Sequence, residues 1–410
     1  MHSFCQNGLD LFVFENFFRG KRDGVFVDVG TKPGEELSNT LFFERFMGWR
    51  GLCLASDPQA IAVLAMQRKC ICEQGGLSNL GTLLEKHALQ RVDYCSIDAQ
   101  GPELSVLTEQ VLGRIPISLL AVANCAAEQS IIELLAERGY DFLGRFADPR
   151  AERSSVLFKR RDVKRLARTS VICAVWHGDP NRHHLLEAHA ENLSKQTVPV
   201  APVYIFDGRD EPPASTPGHK VVVHENVSIY QAWNVGMAMV STPFVMNLNL
   251  DDRLAPDAVE LLENTLMQQD AALVGGEWKI CYSQQETDAV EPVYPADQLP
   301  FMSVWPPPRG TRTRLGSGTG ERGTLGPATL WRVDTHIGAP RYPWRFPDGT
   351  VIKVIGDMCW WTLVTRHLQK KAVRIADVIG HYHSHPNEQA EFRGPSNETT
   401  LMETLGVSLY

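Results

Sequence analysis

The sequence predicts an α/β protein of two domains, and three observations carry that prediction. Short apolar runs alternate with amphipathic stretches over the first 160 residues, the pattern of a parallel sheet covered by helices. A cation-rich segment, KRRDVKRLAR at 159–168, interrupts the pattern, which restarts near Ser170. A chain of 410 residues, 43% of them apolar, is long for one core and comfortable for two. The expected division is 1–160, a linker at 161–169, and 170–410.

Bulk properties exclude several classes. A net charge of −8, with Lys and Arg scattered among Asp and Glu, offers no footprint for nucleic acid or an anionic membrane. Nine cysteines, several in apolar runs (Cys53, Cys95, Cys173), suit a reducing compartment. Cys70 and Cys72 have one residue between them and no second pair at zinc spacing. No apolar stretch approaches the roughly 20 residues that span a bilayer, and the N-terminus lacks a signal pattern. A cytoplasmic protein without a transmembrane segment is expected, extending at most to the inner face of the membrane.

In order, VFVDVG, GLCLAS, RVDYCSID and SLLAVAN read as strands of the first half. KRRDVKRLAR reads as a linker helix with a solvated surface. TSVICAVW, VAPVYIFDG and PFVMNLNL restart the strand signal, with helices over HGDPNRHHLLEAHAENL and around YQAWNVGMAM. The stretch 292–326, rich in Pro, Gly, Arg and Thr, is too long for a tight connection and reads as a lid. There is no internal repeat.

In the first half, a strand ends at Asp28 and turns through Gly30 and Gly34, a place where backbone can approach a ligand closely. NGLDLFVFENFF, GVFVDVG, LSNTLFFERFMGWRGLCLASDP and DYCSIDAQGPELSVL, taken in order over residues 5–158, resemble the FkbM-type methyltransferases. The resemblance implies a seven-stranded Rossmann-like fold, S-adenosylmethionine as cofactor, and binding along the first turn. Asp28, Gly30, Gly34, Asp57 and Asp98 are the positions where such a cofactor site would lie. Three departures fall on that side. Ala55 stands where the family has an acid for the ribose, Thr31-Lys32-Pro33 replaces a small acidic run, and Gln100 replaces another acid while Asp98 and Glu103 remain. Loss of two charge-assisted hydrogen bonds costs on the order of 3 kcal/mol, a hundredfold in affinity. The expectation is a retained fold whose cofactor site is vestigial, with a second, methyl-transferring activity as the alternative.

In the second half, Asp207 ends a strand at a Gly turn, and a later strand ends in adjacent carboxylates, Asp251 and Asp252. Neighbouring carboxylates repel unless a cation joins them, and magnesium or manganese prefers such oxygen ligands. The alternative is that Asp252 merely begins a turn or pairs with Arg253. Residues 169–390 resemble glycosyltransferase family 2, with its GT-A fold. The resemblance implies transfer of a hexosyl-type sugar from a nucleotide-diphosphate donor, a UDP-sugar first, to a glycan or lipid-linked glycan hydroxyl, with inversion, in surface polysaccharide assembly. It implies Ala174, Trp176, Asp207, Asn234, Asn249 and Asp251 at the donor, with Asp251 and Asp252 on Mn2+ or Mg2+. It also implies an acid at a helix start beyond the acceptor region, and Asp357 in VIGDMCWWTLVTRH has that form: the expected base, or an N-cap for a helix from Met358. Of Trp360 and Trp361, the latter is the expected acceptor wall. HYHSHPNE places His381, His383 and His385 on one face if extended, and His383 and His385 are candidate metal ligands. A non-catalytic scaffold or glycan-binding module is the rival from another class.

Overall fold

The computed structural model describes residues 3–5, 7–34, 38–98, 112, 115–123, 128–147, 154–208, 211–224, 227–295, 328–336, 339, 341–346, 348–352 and 356–383. The chain forms two compact units, Met1–Leu166 and Ala167–Tyr410. Both are α/β, as the sequence predicts.

The first unit holds seven strands: β1 (Val25–Val29), β2 (Arg50–Ala55), β3 (Ile71–Gln74), β4 (Val92–Ile97), β5 (Ile117–Ala123), β6 (Tyr140–Ala147) and β7 (Ser154–Arg160). Their order across the sheet is β3-β2-β1-β4-β5-β7-β6. Strands β1 to β5 are parallel, while β7 runs antiparallel to both β5 and β6. β1 is buried throughout because both faces are covered. Alternation sends Val25, Val27 and Val29 into one core with Leu52, Leu54 and Leu120. It sends Phe26 into the other, an aromatic cluster that includes Phe43, Trp49 and Tyr94.

The expected linker helix does not form. Lys159 and Arg160 belong to β7, and 161–168 is a turn followed by irregular chain. Its polar groups find separate partners instead of lining one helix face. Arg160 pairs with Asp162 at 2.5 Å, Arg165 Nε donates to Asn16 Oδ1 at 2.8 Å, and the Leu166 N–H donates to the Asn16 carbonyl.

The second unit contains β8 (Thr169–Val175), β9 (Val200–Asp207), β10 (His219–Val223), β11 (Phe244–Asn247), β12 (Arg253–Leu254), β13 (Leu273–Cys281), β14 (Tyr294–Pro295), β15 (Leu330–Arg332) and β16 (Ala372–His383). The order is β10-β9-β8-β11-β15-β13-β16-β12, with β14 also on β16. The first four are parallel and β15 enters antiparallel to β11. Helix Ile229–Met237, capped by Ser228, packs over β8 because Gly236 lets it approach. A Cβ there would lie 2.5 Å from Ile172 Cγ2. Of the expected lid, 292–295 contributes β14, and 296–327 lies outside the described residues. No helix among the described residues is long and apolar enough to cross a membrane.

Candidate functional site

In an open parallel sheet, ligands sit beyond the carboxyl ends of the strands where the order reverses. In the second unit the chain leaves β8 outward to β9 and β10, then returns to the other side as β11. The reversal therefore falls between β8 and β11, and Asp207 and the Asn249–Asp252 turn follow strands that flank β8.

At the end of β9, Asp207 is buried and accepts from the His177 backbone N–H at 2.7 Å, with the His177 ring Nδ1 3.3 Å away, both on Oδ1. His177 follows β8, so this bond ties two strand ends together. Trp176 beside it is 61% exposed, the most exposed aromatic side chain described in this chain. Ala174 is half-buried one position before the end of β8. These three donor-site candidates share the carboxyl edge of β8 and β9.

β11 stops at Asn247, three residues earlier than the sequence suggests, and Asn249–Asp252 forms a turn. Leu250 anchors the turn in a small core with Cys173 and Phe206. Asp251 is half-buried and Asp252 fully buried. Asp252 does not make the alternative ion pair with Arg253. Arg253, itself buried, donates Nη1 to the carbonyls of Leu250 and Asp252 and pairs through Nε with Asp288 at 2.8 Å. The Asp252 carboxylate accepts the His383 backbone N–H at 2.9 Å and bonds the Asn249 side chain. Burial first, then the Asp251 charge, pushes Asp252 well above its usual value. Asp252 Oδ2 has no hydrogen-bond partner among the described residues.

Among the described residues, no three His, Cys, Asp or Glu side chains stand close enough to hold a metal alone. The acid pair nonetheless fits a magnesium-class cation, which takes one or two carboxylates and completes its shell from phosphate. The histidines do different work from that expected. His381 and His383 both lie buried in β16, where Nδ1 of His381 meets the Glu286 carbonyl at 3.1 Å and Nδ1 of His383 meets Thr287 Oγ1 at 3.1 Å. Both rings are thereby drawn to the helix Gln284–Asp288. His385 lies outside the described residues.

Asp357 is in the first turn of helix Gly356–Thr362, which starts two residues before Met358, so it is not the cap residue. The Tyr230 hydroxyl donates to Asp357 Oδ1 at 3.4 Å. Tyr230 opens the helix that follows the β10 end, which puts Asp357 on the same edge of the sheet. Asn234 serves the fold instead of a ligand: its amide both donates to the Tyr342 carbonyl and accepts the Tyr342 N–H, at 2.9 and 3.0 Å. Trp361 and Trp360 are both core residues, so Trp361 is no exposed wall. Three contributors were not legible beforehand: His177, Tyr230 and Tyr342, whose hydroxyl accepts from Asn247 Nδ2 at 3.0 Å. Only His177, beside a strand-ending tryptophan, left a local trace.

In the first unit, the turn after β1 is intact. The N–H groups of Gly30 and Thr31 both donate to the Leu54 carbonyl at 2.9 Å. Gly30 has φ 81°, and a Cβ on it would lie 2.3 Å from the Asp98 carbonyl oxygen. Each acid there already has an internal partner. Asp28 is buried and accepts from Thr40 Oγ1 at 2.7 Å; burial pushes its carboxyl up against the nearby Arg68 charge. Asp57 caps helix Pro58–Gln67 through the Gln59 N–H, and Asp98 pairs with Lys32 at 2.9 Å. The Gly34 N–H donates to Gln67 Oε1. Gln100 and Glu103 lie outside the described residues.

No family model matches the sequence, and no curated protein matches it. Among solved structures, TarS 1–349 of S. aureus is similar at 13% identity and TM-score 0.37, covering 58% of this chain and 69% of that one. Its complex with UDP-GlcNAc gives 12% and 0.40, over 58% and 64% of the two chains. The mannosyltransferase PcManGT from Pyrobaculum calidifontis, in complex with GDP-Man and Mn2+, gives 13% and 0.35 over 54% and 58%. The chain spans 43% of the longer TarS structure. Likenesses this distant do not carry function.

Proposed function

We propose that the second unit is a metal-dependent, inverting glycosyltransferase of family 2 type that moves a sugar from a nucleotide-diphosphate donor, a UDP-sugar first, to a hydroxyl of a glycan or lipid-linked glycan. The observation that carries this reading is the pairing of Asp207 and the Asn249–Asp252 turn at the carboxyl edge, on strands either side of β8, where the order reverses. An acid that orients a nucleoside and an acid turn that meets a diphosphate are the two fixed points such a donor needs. Asp207 keeps Oδ2 for the nucleoside while Oδ1 is held by His177, and Trp176 offers a flat apolar surface beside it. Asn249 bonds Asp252 through its side chain and so would steady the turn beside the ribose.

Mn2+ or Mg2+ would be held by Asp251 and Asp252, and when bound it supplies neutralising charge to the diphosphate leaving group. Asp357 takes the proton from the acceptor hydroxyl as its oxygen attacks the anomeric carbon and the bond to the diphosphate breaks. Attack from the face opposite the leaving group inverts the centre. Tyr230 orients the Asp357 carboxylate for that step. A donor screen with manganese tests the reading, with release of nucleoside diphosphate as the readout. No turnover or hydrolysis with any nucleotide sugar would favour a scaffold.

For the first unit we propose a methyltransferase-like fold retained without methyl transfer. Asp57 and Asp98 are spent on a helix cap and on Lys32, which supports this over a bifunctional enzyme.

A further inference from the structure

Away from both sites, three thiols of the first unit meet on one face of its sheet. Cys53 of β2 and Cys72 of β3 are neighbours in register, and Cys70, two residues before Cys72, projects to the same face. The Cys70 thiol donates to Cys53 Sγ at 3.4 Å, and the Cys72 thiol donates to the Cys70 carbonyl at 3.7 Å. A disulfide would need these sulfurs to close to about 2.05 Å, a shift within reach of side-chain rotation beside an edge strand.

The second observation is independent. A cleft of about 430 Å3 opens at the amino ends of β2 and β3, and Cys70 is part of its wall. Arg45, Arg50, Lys69 and His87 line it. Its one acid, Glu44, has its carboxylate held by the Arg68 guanidinium and the Lys69 N–H. The lining is therefore cationic, and the volume suits a small anionic molecule of peptide size.

We propose that Cys70 and Cys53 form a redox-active dithiol that is oxidised by a small anionic disulfide docked in this cleft. Cys70 gives its proton to water in the cleft and attacks one sulfur of the bound disulfide, giving a mixed disulfide and one released small thiolate. The Cys53 thiol then attacks the Cys70 sulfur, forming the Cys53–Cys70 disulfide and expelling the second small thiol, which keeps the Cys53 proton. The first small thiolate takes up a proton from water. Two protein thiols are oxidised and one small disulfide is reduced to two thiols.

The test treats the full chain with glutathione disulfide, quenches with acid and maps peptides by mass. The expected result is a transient glutathione adduct on Cys70, followed by a Cys53–Cys70 cross-link that dithiothreitol reverses. Cys53→Ala should accumulate the adduct, and Arg50→Glu with Lys69→Glu should slow its formation about tenfold. The same pair should leave the reaction with uncharged 2-hydroxyethyl disulfide unchanged. Adducts on other cysteines with Cys70 untouched, or no 53–70 cross-link in the unmutated chain, would overturn the dithiol. Equal slowing with both disulfides would overturn the cleft as the docking site.

Discussion

The backbone N–H of His383 donates to the Asp252 carboxylate at 2.9 Å, joining the last described strand to an acid turn 131 residues earlier. The bond makes Asp252 both a structural acceptor and the inner member of the proposed metal pair, and the two roles separate on mutation. Asp252→Ala should abolish manganese-dependent donor turnover and also lower stability by about 1–3 kcal/mol, because the amide loses its buried acceptor. Asp251→Ala should abolish turnover with a smaller loss of stability. Thermal melts beside nucleotide-release assays read both. Full activity in Asp251→Ala would sink the metal assignment.

Asp357→Asn should lower kcat by about a hundredfold or more while donor affinity stays within about threefold, as befits a base that acts only on the acceptor proton. Tyr230→Phe should cost less, since it orients the carboxylate and does not accept the proton. A KM effect without a kcat effect would remove Asp357 from the chemistry.

Asp207→Ala should weaken nucleotide binding by about tenfold or more in calorimetry. His177→Ala keeps the backbone donor and should weaken it less.

The second unit should also lose stability in mild acid. Burial, then the Arg253 charge, holds His189 near 3, so it stays neutral in the folded chain while the unfolded chain takes up a proton below about 6.5. Its stabilisation is complete above about 6.5 and is lost as pH falls toward 3, a difference of about 3–5 kcal/mol. His336, held near 4 by burial, acts in the same direction. Denaturant midpoints measured from pH 7 to 4 should fall, and His189→Gln should flatten the curve. A curve unchanged by that substitution would place the acid sensitivity elsewhere.

Calorimetry of the full chain with S-adenosylmethionine should show no binding tighter than about 100 μM, an affinity of roughly 5.5 kcal/mol. Micromolar binding would mean that the Lys32 pair with Asp98 opens to admit the cofactor, and the first unit would then be a second active centre.

What the sequence determined by itself was the class of fold and where most of the central parallel strands lie along the chain. Apolar runs at strand length and Gly-bearing turns are local properties, so β1, β2, β4, β5, β8 and β9 could be read directly from them. The edge and antiparallel strands were not legible, because β6, β7, β13 and β16 carry charged residues that pair across the sheet, as Arg374 does with Glu277. The acids were legible as types, but their roles depended on partners far away in sequence. Asp252 is fixed by His383, Asn234 by Tyr342, Asp98 by Lys32, and the C-terminal histidines by a short helix. A motif records which groups stand near one another along the chain. Only tertiary structure decides which of them a buried hydrogen bond has already claimed, because an unpaired buried polar group costs more than any local preference can repay.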